Sequence, residues 1–133
     1  MLLLSRELMY CLLPMLYEVK LKTQNPHFEN VQDVEPTEVF ENASQLTLID
    51  VREQSEFNGD LGHIASATLI ILHTIPDHLK SIPTDKPIVF VCRSGGRSAQ
   101  ACAFAQQQGL KNVYNMRGGM MLWNHFQLPI TKE

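Results

Sequence analysis

From Val31 onward, short runs rich in apolar and β-branched residues alternate with helical stretches. Runs of this kind, bounded by polar residues, Gly or Pro, are too short for helices and read as strands; here they fall at residues 31–34, 46–49, 67–71, 88–91 and 112–114. Pro36 suits a first helical turn, where its missing N–H costs nothing, and opens a helix through about Asn42. A short helix follows Glu53 and another covers about residues 75–79. The longest spans residues 98–108 and stops at Gly109, and a last one follows Gly118-Gly119. Strands alternating with helices in this way are the signature of an α/β fold, a central parallel five-stranded sheet with helices on both faces.

The first 22 residues, MLLLSRELMYCLLPMLYEVKLK, are strongly apolar, yet Arg6 and Glu7 interrupt them and Pro14 breaks the remainder. Their longest uncharged stretch, Leu8 to Tyr17, is 10 residues, against the roughly 20 that cross a bilayer, and no small-residue cleavage site follows it. The segment fits an interfacial or partner-docking helix, giving membrane or protein contact through residues 1–22, or a helix packed on its own domain. Residues 23–30, with Asn25-Pro26, read as a linker. The division expected is an N-terminal apolar segment and linker over residues 1–28, not needed for the chemistry, and the folded domain over residues 29–133.

A length of 133 residues agrees with one domain and a short extension. With 44% hydrophobic and 19% charged residues, intrinsic disorder and a disulfide-stapled mini-protein are excluded. The net charge of −3 speaks against binding nucleic acid, but it is unevenly spread. Residues 1–85 hold five Lys and Arg against thirteen Asp and Glu, a net of −8, whereas residues 86–132 hold six Lys and Arg and no acid. A positive potential over the last third favours an anionic small molecule or a thiolate. Three cysteines, Cys11, Cys92 and Cys102, form no CxxC pair and have no His at ligand spacing. Neither a disulfide framework nor a metal site is expected, and nothing calls for a cofactor. The expectation is single-thiol chemistry in a reducing compartment, the cytoplasm.

The sharpest local signal is Cys92-Arg93-Ser94-Gly95-Gly96-Arg97-Ser98, directly after the strand at 88–91 and before the longest helix. In open α/β sheets, ligands bind beyond the carboxyl ends of the strands, and a helix N-terminus there offers unpaired N–H groups and about half a positive charge. Gly95 and Gly96 let the loop curl so that its amides form an anion-binding nest. A thiol at the mouth of such a nest, flanked by Arg93 and Arg97, is expected to be a thiolate and a nucleophile. Cys102, in the helix beside Ala99 and Ala103, reads as core.

This run, with Asp50-Val51-Arg52-Glu53 and Glu56-Phe57, Gly62-His63-Ile64 with Ala67, and Val113-Tyr114-Asn115-Met116-Arg117-Gly118-Gly119 through Trp123, resembles the single-domain rhodanese (thiosulfate sulfurtransferase) family over about residues 29–129. The resemblance implies a small doubly wound domain and an enzyme that moves a sulfane sulfur from thiosulfate or a persulfide donor to a thiophilic acceptor, cyanide or a thiol. By it, Cys92 carries the sulfur as a persulfide. The loop from Arg93 through Ser94, Gly95, Gly96 and Arg97 to Ser98 cradles the terminal sulfur and the departing sulfite, with Arg93 and Arg97 supplying charge. It implies, as partners, a small anionic sulfur donor and a thiol acceptor. Asp50 and Arg52 look like scaffold able to pair and hold the loops, His63 is implied to be structural, and Trp123 reads as a core anchor. Ala65-Ser66 stands where the family commonly has Pro-Gly, which loosens one turn and leaves the loop untouched.

Two other readings stand beside this one. A phosphatase or arsenate reductase of Cdc25-like architecture also uses a cysteine in an anion loop, but with Cys-x5-Arg spacing, whereas Cys92 to Arg97 is Cys-x4-Arg. A sulfur-relay or partner-binding carrier module would keep the same cysteine.

Overall fold

The computed structural model describes residues 17–133. Its strands are β1 (Lys22–Gln24), β2 (Gln32–Val34), β3 (Thr47–Asp50), β4 (Thr68–Leu69), β5 (Ile88–Val91) and β6 (Val113–Met116). They lie in one sheet in the order β1-β2-β6-β5-β3-β4, with β1 antiparallel to β2 and every other pair parallel. The helices are α1 (Pro36–Glu41), α2 (Gln54–Phe57), α3 (Ile75–His78), α4 (Gly96–Gln107) and α5 (Gly119–His125).

The run of apolar residues in β5 has a two-sided explanation. All four of its residues are buried. Ile88 and Phe90 pack with Ala101, Cys102 and Ala105 of α4, while Val89 and Val91 pack with Val39 of α1 and with Met120 and Trp123 of α5. A parallel strand covered on both faces shows no alternation of apolar and polar residues. In α4, the buried Ser98, Ala101, Cys102 and Ala105 recur at helical spacing and form the face turned to the sheet. Gln108 ends that helix, and Gly109 follows at φ 99°, a left-handed conformation that glycine adopts without penalty.

The five expected strands are present, and a sixth joins them. Strand β1 corrects the reading of residues 23–30 as a linker from their first residue. Its three residues are exposed, so no hydrophobic pattern marks it, and only pairing with β2 (Lys22↔Val34, Gln24↔Gln32) makes it a strand. The residues before it are also tied down. Val19 is buried among Val34, Val39 and Trp123. The carboxylate of Glu38 accepts the amides of Lys20 (2.7 Å) and Leu21 (3.0 Å) and the hydroxyl of Tyr17. Asn25-Pro26 does form a turn: the Asn25 side-chain oxygen accepts the amides of His27 (2.8 Å) and Phe28 (3.0 Å). Membrane or partner contact is expected through residues 1–22, and of these residues 1–16, Cys11 among them, lie outside the described residues. Among the described residues no helix is long and apolar enough to cross a membrane.

A chain beginning at Glu29 is therefore expected to be less stable than one beginning at Tyr17. Loss of the buried Val19 alone removes about 1.5–3 kcal/mol. Urea unfolding of the two chains checks this, and equal midpoints would show that β1 and Val19 contribute nothing to the sheet.

Candidate functional site

The carboxyl ends of β2, β6, β5 and β3 point the same way, and Cys92 is the first residue beyond β5. It keeps the register of Ile88 and Phe90, so its side chain lies on the α4 side of the sheet, and it is 1% exposed. The loop then turns through Gly95, at φ 104°, which caps α4. That turn aims the Gly95 N–H at Cys92 Sγ (3.1 Å), and the Ser98 hydroxyl lies 3.1 Å from the same sulfur. Among the described residues, the amides of Ser94, Gly96, Arg97 and Ser98 donate to no backbone acceptor. The loop read from the sequence, Cys92 to Ser98, is thus one arc with its sulfur against a helix N-terminus, the place where partial positive charge is concentrated.

Gly118 and Gly119 do more than make a turn. They sit at φ 73° and 57°, and a Cβ on Gly119 would lie 2.4 Å from the Cys92 carbonyl oxygen and 2.5 Å from the Arg93 carbonyl carbon. Only glycine lets the start of α5 approach so closely. In return Met120 N–H donates to the Cys92 carbonyl (2.8 Å) and Met121 N–H to that of Arg93 (2.9 Å), so α5 grips the loop from the opposite side to α4.

The two loop arginines differ. Arg93 is exposed and pairs with no carboxylate among the described residues. Arg97 makes a bidentate pair with Glu56, Nη1 to Oε1 at 2.7 Å and Nη2 to Oε2 at 2.8 Å. Both arginines are expected to supply charge for an anion; of the two, Arg97 is already paired, with a carboxylate 41 residues earlier in the chain. Glu56 is held down to about 2, from 4.5, chiefly by the Arg97 hydrogen bonds. A carboxyl depressed in the folded state stabilises the fold above its unfolded value and loses that contribution as pH falls from 4.5 through about 2. Since Arg97 and Glu56 are 36% and 27% exposed, screening limits the effect to about 1 kcal/mol. Glu56→Gln is expected to unfold at lower urea concentration than the native chain at neutral pH, with the gap narrowing on acidification. A gap that does not change with pH would assign it to something other than this pair.

Asp50 and Arg52 form the expected pair in complete burial, 0% and 1% exposed. Arg52 Nε and Nη2 donate to the two Asp50 oxygens (2.9 and 2.7 Å), Nη2 also to the Gly62 carbonyl (2.8 Å) and Nη1 to the Glu56 carbonyl (3.2 Å). One guanidinium thus joins the end of β3, the helix bearing Glu56 and the turn at Gly62. His63 is enclosed: its ring stacks on Phe57 with centroids 3.6 Å apart, and Nδ1 is 2.7 Å from the Phe57 carbonyl. Cys102 is fully buried, and burial pushes its thiol up to about 12, which keeps it protonated. Among the described residues no group of three or more His, Cys, Asp or Glu side chains is placed to hold a metal ion.

Two polar residues that the sequence reading did not single out complete the site. Ser98 Oγ is hydrogen-bonded to Asn115 Oδ1 as well as to the sulfur, and Asn115 Nδ2 donates to Asp33 Oδ1 at 2.9 Å. All three are buried. The signal available was a buried-strand position occupied by an amide, Asn115 between Tyr114 and Met116, but its partners lie 17 and 82 residues away.

The comparisons agree with this architecture. A family model for the rhodanese-like domain matches residues 35–126. A sulfurtransferase of Allochromatium vinosum is 42% identical over 86 residues, 65% of this chain and 78% of the relative. The thiosulfate sulfurtransferase GlpE of Pseudomonas aeruginosa is 32% identical over 96 residues, 72% of this chain and 84% of the relative. A solved structure of a rhodanese-related protein from Thermoplasma volcanium superposes with a TM-score of 0.70 at 31% identity, covering 76% of this chain and 98% of that one. Fold, loop and relatives lead to one conclusion: this chain belongs to the rhodanese-like domain family, among whose members it is similar to sulfurtransferases.

Proposed function

We propose that this protein transfers sulfane sulfur through a persulfide on Cys92. The observation that carries the reading is the enclosure of the Cys92 sulfur by the Gly95 N–H and the Ser98 hydroxyl, both at 3.1 Å, at the start of α4. Donors aimed at the sulfur stabilise its anionic form. The thiolate attacks the outer sulfur of thiosulfate; an S–S bond to Cys92 forms as the S–S bond of thiosulfate breaks, and its electron pair leaves with sulfite. This is the displacement of thiol–disulfide exchange. The outer sulfur then carries the negative charge among the amides of Ser94 to Ser98. In the second half-reaction cyanide or a thiolate attacks that sulfur, and the electron pair returns to Cys92 as thiolate, giving ping-pong kinetics. Arg93, exposed and without a carboxylate partner, draws in the anionic donor, while Arg97 acts through Glu56 to shape the loop. Free-thiol chemistry of this kind suits a reducing compartment such as the cytoplasm.

The loop is one residue shorter than a Cys-x5-Arg phosphate cradle, and a sulfur at 1% exposure favours a slender donor over an aryl phosphate. Mass spectrometry after incubation with thiosulfate tests the reading. The expected product carries one added sulfur atom on the Cys92 peptide, lost again on addition of cyanide. An unmodified Cys92 in folded protein would overturn it.

A further inference from the structure

We propose that Asn115, oriented by Asp33, makes the Ser98 hydroxyl a two-way donor that favours the sulfur-loaded form of Cys92 over its free thiolate; this rests on the sulfurtransferase reading. Ser98 Oγ faces two acceptors, Cys92 Sγ at 3.1 Å and Asn115 Oδ1, and a hydroxyl has one proton to give. The Asn115 amide is not free to turn. Its Nδ2 donates to Asp33 Oδ1 at 2.9 Å, and the same oxygen receives Asn25 Nδ2 at 2.9 Å. The sheet register, Thr23 beside Asp33 and Asp33 beside Asn115, sets these groups in a row. Asn115 Oδ1 therefore points at Ser98, with Asn115 itself 1% exposed.

In the free thiolate, the charge on Sγ draws the Ser98 proton, and Asn115 Oδ1 is left without that donor in a buried place, which is unfavourable. In the persulfide, Sγ is a neutral atom within an S–S bond and the charge has moved to the outer sulfur. The Ser98 proton then returns to Asn115 Oδ1, while the neutral Sγ keeps the Gly95 N–H. The network thus lowers the loaded state relative to the empty thiolate, and Asn115 is a positioning residue that never touches the substrate.

The charged and titratable groups on the loop and on the elements packed about it are Arg97 with Glu56, Asp50 with Arg52, Arg117 with Glu35, the exposed Arg93, Asp33 and Cys102. Neither Ser98→Ala nor Asn115→Leu adds or removes a charge among them, and Asp33, which loses the Asn115 donor in Asn115→Leu, keeps that of Asn25. The experiment is iodoacetamide alkylation of Cys92 against pH in the full chain, read by mass spectrometry of the Cys92 peptide. Ser98→Ala is expected to move the half-titration point up and Asn115→Leu to move it down, each by about one pH unit. The double variant should behave as Ser98→Ala alone. At a fixed ratio of thiosulfate to sulfite, the persulfide fraction in Asn115→Leu should correspondingly fall. If Asn115→Leu does not fold, the smaller Asn115→Ala, which likewise removes the Oδ1 acceptor and changes no charge, should give a downward shift that adding Ser98→Ala abolishes. Shifts in the same direction, or none from either Asn115→Leu or Asn115→Ala, would overturn the switch. Absence of any persulfide in the native chain would instead overturn the sulfurtransferase reading, while the alkylation profiles still decide what Ser98 does.

Discussion

Cys92→Ser is expected to reduce sulfur transfer from thiosulfate to cyanide to background, a loss of ~10⁴-fold or more, the scale seen when a nucleophile is removed from an enzyme. The hydroxyl accepts the Gly95 N–H in place of the sulfur, so the loop keeps its shape. Yet serine is not appreciably ionised in this setting and forms no bond to a sulfane sulfur that a thiol acceptor could reverse. The comparison that gives the result meaning is Cys102→Ser. That residue lies in the core on α4, fully buried, so a hydroxyl there costs about 1–3 kcal/mol of stability, while turnover per folded molecule is retained. Steady-state rates normalised to the folded fraction, measured by circular dichroism, separate the two. Turnover by Cys92→Ser above background would mean that the sulfur passes through another group.

The largest effect on stability is expected at Arg52. Arg52→Ala leaves the Asp50 carboxylate buried at 0% exposure without its cation and removes the donors to the Glu56 and Gly62 carbonyls. Breaking a buried pair in this way costs about 3–5 kcal/mol, a large share of the roughly 5–15 kcal/mol that holds a domain of this size. Urea unfolding should show it as a shift in midpoint with little change in slope. The double variant Asp50→Leu/Arg52→Leu should recover part of the loss, since the penalty lies in the orphaned charge more than in the missing attraction. A loss below 1 kcal/mol in Arg52→Ala would show that solvent reaches Asp50 and that the pair is not the joint between β3 and α2. Because Arg52 holds the Glu56 carbonyl and Glu56 holds Arg97, the surviving folded fraction should also have a looser Cys92 loop.

Much of the fold is legible in local pattern. The unbroken apolar run of β5, the small buried residues of α4 at helical spacing, and the Pro and Gly punctuation at Pro36 and Gly109 each state their element without reference to the rest of the chain. The loop is legible for the same reason: Cys92 to Ser98 is contiguous, and a strand end meeting a glycine-rich helix start has a geometry that follows from seven neighbouring residues. Strand β1 carries no such signal, because its exposed Lys-Thr-Gln becomes a strand only through the hydrogen bonds that β2 offers.

What only the tertiary structure decided is which group answers which. That Arg97 faces Glu56 while Arg93 faces solvent, that Gly119 is a point of backbone contact with Cys92 and Arg93, and that Ser98 is shared between a sulfur and Asn115 are all relations between segments far apart in the chain. Residue type and spacing determine what a side chain can donate, accept or bury. They leave its partner open, because a hydrogen bond or an ion pair acts over about 3 Å, and such distances between remote residues exist only once the sheet order has brought β2, β6, β5 and β3 side by side.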